Sequence, residues 1–161
     1  MSMMLRLIIF AVCVVAALAA DCPKGYTEVR NPNMCFRLSE FTDTVKYKFA
    51  EAECQKTKGG RLVSLDTPKK YGIVAGYMTA LGDKGTDAGS KKFRVWIGLK
   101  RTGSCSESSQ FEWTSGSTNV PAWGKNEPDN GLGKDCGQLD SRGISDLYCN
   151  RKRRYICEVP L

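Results

Sequence analysis

Two carboxylates on either side of one proline, Glu127-Pro128-Asp129, are the residues of this chain best suited to chemistry. They lie in AWGKNEPDNGLGKDC, residues 122–136, a run of Gly, Asn and Lys with the period of neither a helix nor a strand. Paired carboxylates of this kind suit three sites. They could hold a divalent cation through oxygen, act as an acid/base pair on a glycosidic bond, or accept hydrogen bonds from sugar hydroxyls. Lys134 follows a few residues later. Its ammonium would repel a metal ion if it pointed inwards, and could pair with the carboxylates in the ion's place.

Composition removes much other chemistry. The chain has no histidine, so Ser-His-Asp and Cys-His nucleophile arrangements are absent. It has no Cys-x-x-Cys pair, which leaves zinc without a recognisable ligand set. No glycine pattern follows a strand as a nucleotide-binding loop would. The balance of 24 Lys and Arg against 17 Asp and Glu gives a formal charge of +7. That charge draws a protein to anionic partners such as sulfated glycans or microbial envelopes. Four cations are consecutive, Arg151, Lys152, Arg153 and Arg154, between Cys149 and Cys157. They read as a solvated basic turn in the last hairpin, or as a site for anionic glycans through Arg–sulfate and Arg–phosphate pairs.

The elements that must hold these residues can be read around them. Residues 1–20 form a secretory leader, with Arg6, an apolar run from Leu7 to Leu18 and the small-x-small signal Ala17-Leu18-Ala19. The mature protein is therefore expected outside the cell, with no membrane span. About 140 residues remain, the size of one domain over 21–161. In an oxidising compartment Cys22, Cys35, Cys54, Cys105, Cys136, Cys149 and Cys157 make a disulfide framework with one thiol over. Residues 22–35 suggest a stapled hairpin. Lys46 to Lys58 predicts a helix with Phe49, Ala52 and Cys54 inwards, stopped by Gly59-Gly60. RLVSL reads as a strand, and Asp66-Thr67-Pro68 starts a second helix running to about Ala80. RVWIGL, FEWTSG, CGQLD and RYICEV read as short strands, with polar loops at 82–92 and 104–109. Thr118 to Asp135 has no periodicity, and a loop of that length in a small domain points to function.

In their order and spacing, several of these segments resemble the C-type lectin-like domain. They are GGRLVSL after the first helix, WIGL at 96–99, FEWTSGS, AWGKNEPDN, Cys136, Cys149 and the terminal YICE. The resemblance covers essentially all of residues 22–159. It implies an α+β, C-type lectin-like fold: two helices, two small antiparallel sheets and a long irregular loop region, stapled by disulfides. The implied pairs are Cys54–Cys157, Cys136–Cys149 and the long-form Cys22–Cys35. Trp96, Ile97, Leu99, Trp113 and Trp123 become packing residues. Cys105 has no partner in this scheme and is either a free thiol or the bridge of a disulfide-linked homodimer. The acid/base reading falls away, and the protein is expected not to be an enzyme.

In lectins of this family a calcium ion sits on the long loop, and adjacent sugar hydroxyls complete its oxygen shell. Carried onto this chain, Glu127, Asp129 and Asp146 are the calcium and carbohydrate residues, with Ser145 as a further carbohydrate residue and Ser145 or Asn130 as weaker candidates for a fourth ligand. The family's Glu-Pro-Asn form resembles mannose-type selectivity and its Gln-Pro-Asp form galactose-type. Glu127-Pro128-Asp129 takes half of each and offers acceptors only, so neither preference carries over. Two departures stand out: Lys134 replaces an acidic ligand before Asp135-Cys136, and Ile144-Ser145-Asp146 replaces Trp-Asn-Asp. The expectation is a secreted lectin for carbohydrate, in particular microbial surface glycans in innate defence, and not a nucleic-acid binder. Calcium (Ca2+) would take part if Lys134 points into solvent. A lysine–carboxylate network would replace it if Lys134 turns inwards. Alternatives are a protein-binding or matrix-associated domain, and a calcium-independent binder of anionic glycans through residues 151–154.

Overall fold

The stapled N-terminal segment is a hairpin, in which β1 (Thr27–Arg30) passes through a cis Asn31–Pro32 peptide into β2 (Asn33–Leu38). The structure, a computed structural model, describes residues 21–81, 93–103, 110–119 and 121–161. The leader, the 82–92 loop and the 104–109 segment with Cys105 lie outside the described residues. All three implied cystines are present: Cys22–Cys35, Cys54–Cys157 and Cys136–Cys149. The second closes a separation of 103 residues, which on a chain-entropy account is worth about 4–5 kcal/mol.

Helix α1 (Tyr47–Gln55) buries Tyr47, Ala50 and Cys54, the i, i+3, i+7 stripe of one helical face. The expected inward residues Phe49 and Ala52 are both exposed, Phe49 by 50%. The helix is rotated relative to that expectation because two anchors fix its face. Cys54 is tied to Cys157, and the Tyr47 hydroxyl donates to Leu99 O at 3.1 Å. The strand expected at RLVSL pairs regularly only as β3 (Arg61–Leu62). Its continuation is held by single bonds, with Val63 N donating to Ile156 O and Gly98 N to Val63 O. Helix α2 (Pro68–Ala80) starts as predicted: Thr67 Oγ1 accepts from Lys70 N at 3.2 Å and Pro68 fills the first turn.

The remaining strands are β4 (Arg94–Arg101), β5 (Phe111–Trp113), β6 (Cys136–Asp140), β7 (Gly143–Leu147) and β8 (Arg154–Pro160). The two expected antiparallel sheets are joined into one mixed sheet of order β1-β2-β8-β4-β6-β7, with β3 added to β8 and β5 to β4. The joint is β8. Its first two residues pair in parallel with β4, at Val95↔Arg154 and Trp96↔Tyr155, while its later residues pair antiparallel with β2 and β3. The basic run 151–154 is therefore not a hairpin turn. It is the crossing by which the chain leaves β7 for the middle of the sheet. Among the described residues, no helix is long and apolar enough to cross a membrane.

A main core of Leu65, Val74, Met78, Ile97, Leu139 and Ile156, among others, lies against α2. A smaller cluster of Tyr47, Leu62, Trp96, Tyr155 and the cystines at Cys54–Cys157 and Cys136 lies under α1. Trp96, Ile97, Leu99 and Trp113 are buried packing residues as expected. Alternation along β4 puts Lys100 outside and Arg101 inside, and this brings a cation beneath the long loop. The Arg101 guanidinium lies 4.3 Å over the Phe111 ring. Its Nε is 3.2 Å from Asp135 Oδ1 and its Nη2 3.5 Å from Asp146 Oδ2. The Arg101 and Asp146 side chains are 1% and 0% exposed.

Breaking a buried pair strands the remaining charge, so Arg101→Ala is expected to destabilise the domain by about 3–5 kcal/mol. Phe49→Ala, on the outer face of α1, should stay within about 0.5 kcal/mol. Urea unfolding of the two variants checks this; equal losses would show that Asp146 does not depend on Arg101.

Candidate functional site

The loop from β5 to β6 is pinned to β7 before it reaches the paired carboxylates. Trp123 bridges Ile144, Gly124 N donates to Ile144 O at 2.8 Å, and the Trp123 ring meets Phe111 edge-on at 5.0 Å. Trp123 is thus the packing residue expected beneath the site. Asn126 and Asn130 bracket the turn at φ of 62° and 54°, a left-handed conformation that asparagine tolerates better than most residues. Between them the Glu127–Pro128 peptide is cis. Asp129 Oδ1 accepts from Gly131 N at 3.0 Å, closing a side-chain turn.

This frame brings Glu127, Asp129 and Asp146 together, each offering an oxygen within 4.8 Å of the others. Asp146 is buried at the end of β7, and its two oxygens accept from Asp129 N and Asn130 N, both at 3.1 Å. Lys134 turns inwards, its ammonium paired with Asp129 Oδ2 and 5.9 Å from the Tyr148 ring. That ammonium is the main reason the Asp129 carboxyl lies below the usual carboxylate range, with the Gly131 N–H adding to it. The Lys134 amine is raised chiefly by the same bond. Glu127 goes the other way: burial pushes its carboxyl up, and the hydrogen bond and charge of Asp146 and the charge of Asp129 push it further. Its Oε2 is buried without a partner.

Other candidate residues have partners of their own. The Ser145 hydroxyl accepts from Gln138 Nε2 at 3.0 Å, and Gln138 Oε1 in turn accepts from Arg153 Nε. Ser145 belongs to that cross-strand network and also lines the cavity that opens beside Glu127. Asn130 Oδ1 accepts from Arg101 Nη2 at 3.0 Å. Of the basic run, Arg154 is buried as the first residue of β8 and donates to Ser39 O from Nε at 3.2 Å. Arg153 is half-buried, and Arg151 and Lys152 alone of the four are exposed. The exposed part of the four-residue anionic-ligand candidate is therefore two residues, because Arg153 donates to Gln138 Oε1 and Lys152 O and Arg154 donates to Ser39 O. Arg101 was not among the expected site residues; an inward register position for a cation was the signal that could have found it.

A cavity of about 250 Å³ opens beside Glu127, lined by Gly124, Lys125, Glu127, Asp140, Arg142 and Gly143 among others. Arg142 donates to Asp140 Oδ2 at 3.0 Å from a side chain 72% exposed. Gly143 sits at φ +124°, and a Cβ there would come within 3.0 Å of Gly124 Cα. Glycine is required for the loop and β7 to meet so closely, and backbone forms that wall.

A calcium ion needs roughly 6–8 oxygen ligands. The cluster offers three carboxylates, and two are already engaged: Asp129 by the Lys134 ammonium, and Asp146 by two backbone N–H groups and Arg101. A divalent ion among them would sit against two cations at short range. As arranged, these residues do not fit calcium, since the lysine ammonium already occupies one of the three carboxylates, that of Asp129.

The sequence profile described as Lectin C-type domain matches residues 43–159. The chain is 31% identical over 141 residues to one chain of the snaclec coagulation factor IX/factor X-binding protein of Echis carinatus, an overlap covering 86% of this chain and 100% of that one. Among solved structures, human lithostathine superposes with a TM-score of 0.69 at 27% identity, over 88% of this chain and 92% of the other. CEL-IV superposes with a TM-score of 0.68, also at 27% identity, over 87% and 94%. Sequence profile, fold and cystine pattern agree, and this chain belongs to the C-type lectin domain family.

Proposed function

We propose that this protein is a secreted lectin that binds carbohydrate, foremost microbial surface glycans in innate defence, and does so without calcium. The observation that carries the reading is the Lys134 ammonium held on Asp129 within the Glu127, Asp129 and Asp146 cluster. A calcium ion in such a loop relieves the repulsion between its carboxylates and offers positive charge to hydroxyl lone pairs. Lys134 and Arg101 supply the first of these from within the chain, so the loop needs no metal to keep its shape. Residues 1–20 are the leader removed on export, and 21–161 is the carbohydrate-recognition domain. Loss of Arg6 with the leader lowers the formal charge from +7 to +6, which still favours accumulation at anionic envelopes, with Arg151 and Lys152 as the exposed cations of the basic run. Cys105 is proposed as the bridge of a disulfide-linked homodimer.

A second reading has one observation in its favour. The snaclec relative is named for binding coagulation factors, and a lectin-like domain that has lost its ion could bind protein instead of sugar.

Glycan-array binding in the presence of chelator and of calcium separates these readings, together with calcium titration by calorimetry. The same glycans should be retained under both conditions. The wild type should give no calcium heat, and Lys134→Glu, which restores an acidic ligand, should give one. Loss of glycan binding on chelation would overturn the calcium-free mechanism. An array with no glycan bound under either condition would sink the lectin reading in favour of protein binding.

A further inference from the structure

We infer that the sugar is held in the cavity beside Glu127, as a single neutral ring whose hydroxyls bridge Glu127 to the cations Lys125 and Arg142, and not on the outer face of the Glu127-Pro128-Asp129 turn. The inference rests on the carbohydrate-binding reading above and specifies where, and by what chemistry, that ligand is held.

The outer face has little left to offer. Asp129 gives Oδ1 to Gly131 N and Oδ2 to Lys134, and Asp146 gives its oxygens to two backbone N–H groups. Glu127 is the carboxylate of the three that keeps an oxygen without a partner, and Glu127 also lines the cavity. Lys125 and Arg142 stand in the same wall. Both are exposed. A guanidinium has five N–H donors, so the single Nη2 bond to Asp140 leaves Arg142 donors for a ligand.

Each sugar hydroxyl both donates and accepts. A calcium ion would meet the accepting lone pairs in the family's usual arrangement, whereas here an ammonium and a guanidinium can do so, with Glu127 accepting the hydrogen bond that the hydroxyl donates. The wall carries Lys125 and Arg142 against Glu127 and Asp140, so its charges balance and a neutral polyhydroxyl ring suits it better than a polyanion. The volume of about 250 Å³ lies below the roughly 300–1,000 Å³ of pockets for larger ligands, which limits the occupant to one ring. Gly124 and Gly143, where an added Cβ would strike backbone, let the loop and β7 close against each other along that wall.

The test is an amide NMR titration of the secreted protein with the methyl glycosides of mannose, galactose and N-acetylglucosamine, alongside the array. At least one glycoside should shift the Gly124, Lys125 and Gly143 amides while leaving those of Gly131 and Gly133 in place. Lys125→Ser and Arg142→Ser, both at exposed positions, should each weaken that binding about tenfold, the size of one lost charge-assisted hydrogen bond. Shifts centred on Gly131 and Gly133, or full affinity in both variants, would overturn the placement. So would glycans retained on the array with none of the three glycosides perturbing any amide, and in each of these cases the carbohydrate reading itself would stand. An empty array together with an unperturbed spectrum would remove both.

Discussion

A carboxylate buried at the end of a strand must find donors or lose its charge, and Asp146 finds them in the loop that crosses above it. Two backbone N–H groups, from Asp129 and Asn130, reach its oxygens from above, and the Arg101 guanidinium approaches from below. These contacts set the height and direction of the Glu127-Pro128-Asp129 turn over β7. The same guanidinium rests on Phe111, which also meets Trp123, so the position of the loop is tied to the packing of β4 and β5. Little of the site is free to move without exposing or stranding that charge.

Once Asp129 is held beside Asp146, a second negative charge has been brought close to the first, with Glu127 adding a third. The chain answers with Lys134. Its ammonium depresses the Asp129 carboxyl, while burial, and then Asp146 and Asp129, leave Glu127 with a raised one. The three carboxylates are therefore not equivalent. Asp146 is structural, Asp129 is engaged by the lysine, and Glu127 retains acceptor capacity beside a cavity with cations in its wall. Two of the three carboxylates in this cluster are met by side-chain cations, Asp146 by Arg101 and Asp129 by Lys134.

Much of this was legible before the structure. The order of motifs gave the family, the cystine pairs, and the three carboxylates that converge. Legibility failed where tertiary register decides. In α1 the apolar residues offered more than one stripe, and the anchors at Cys54 and Tyr47 chose the one that leaves Phe49 in solvent. β7 escaped notice because Gly143-Ile144-Ser145-Asp146-Leu147 is short and half polar, and its polar residues are buried only by partners distant in sequence. Arg101 lies beyond the RVWIGL run read as the strand, and only the strand's continuation to 101, with inward alternation, puts it under the loop. The basic run looked uniformly solvated, yet β8 begins at Arg154 and turns that guanidinium towards the Ser39 carbonyl. The direction of Lys134 could be framed as two alternatives but not chosen, since the choice depends on where Asp129 stands once Asp146 is buried.

The most direct measurement is a crystal structure of the protein grown in excess calcium. The account predicts the Lys134 ammonium within hydrogen-bond distance of Asp129 Oδ2, the Asp129 and Asn130 amides on Asp146, and no ion among the three carboxylates. A calcium ion coordinated by Glu127, Asp129 and Asp146, with Lys134 swung out to solvent, would contradict it.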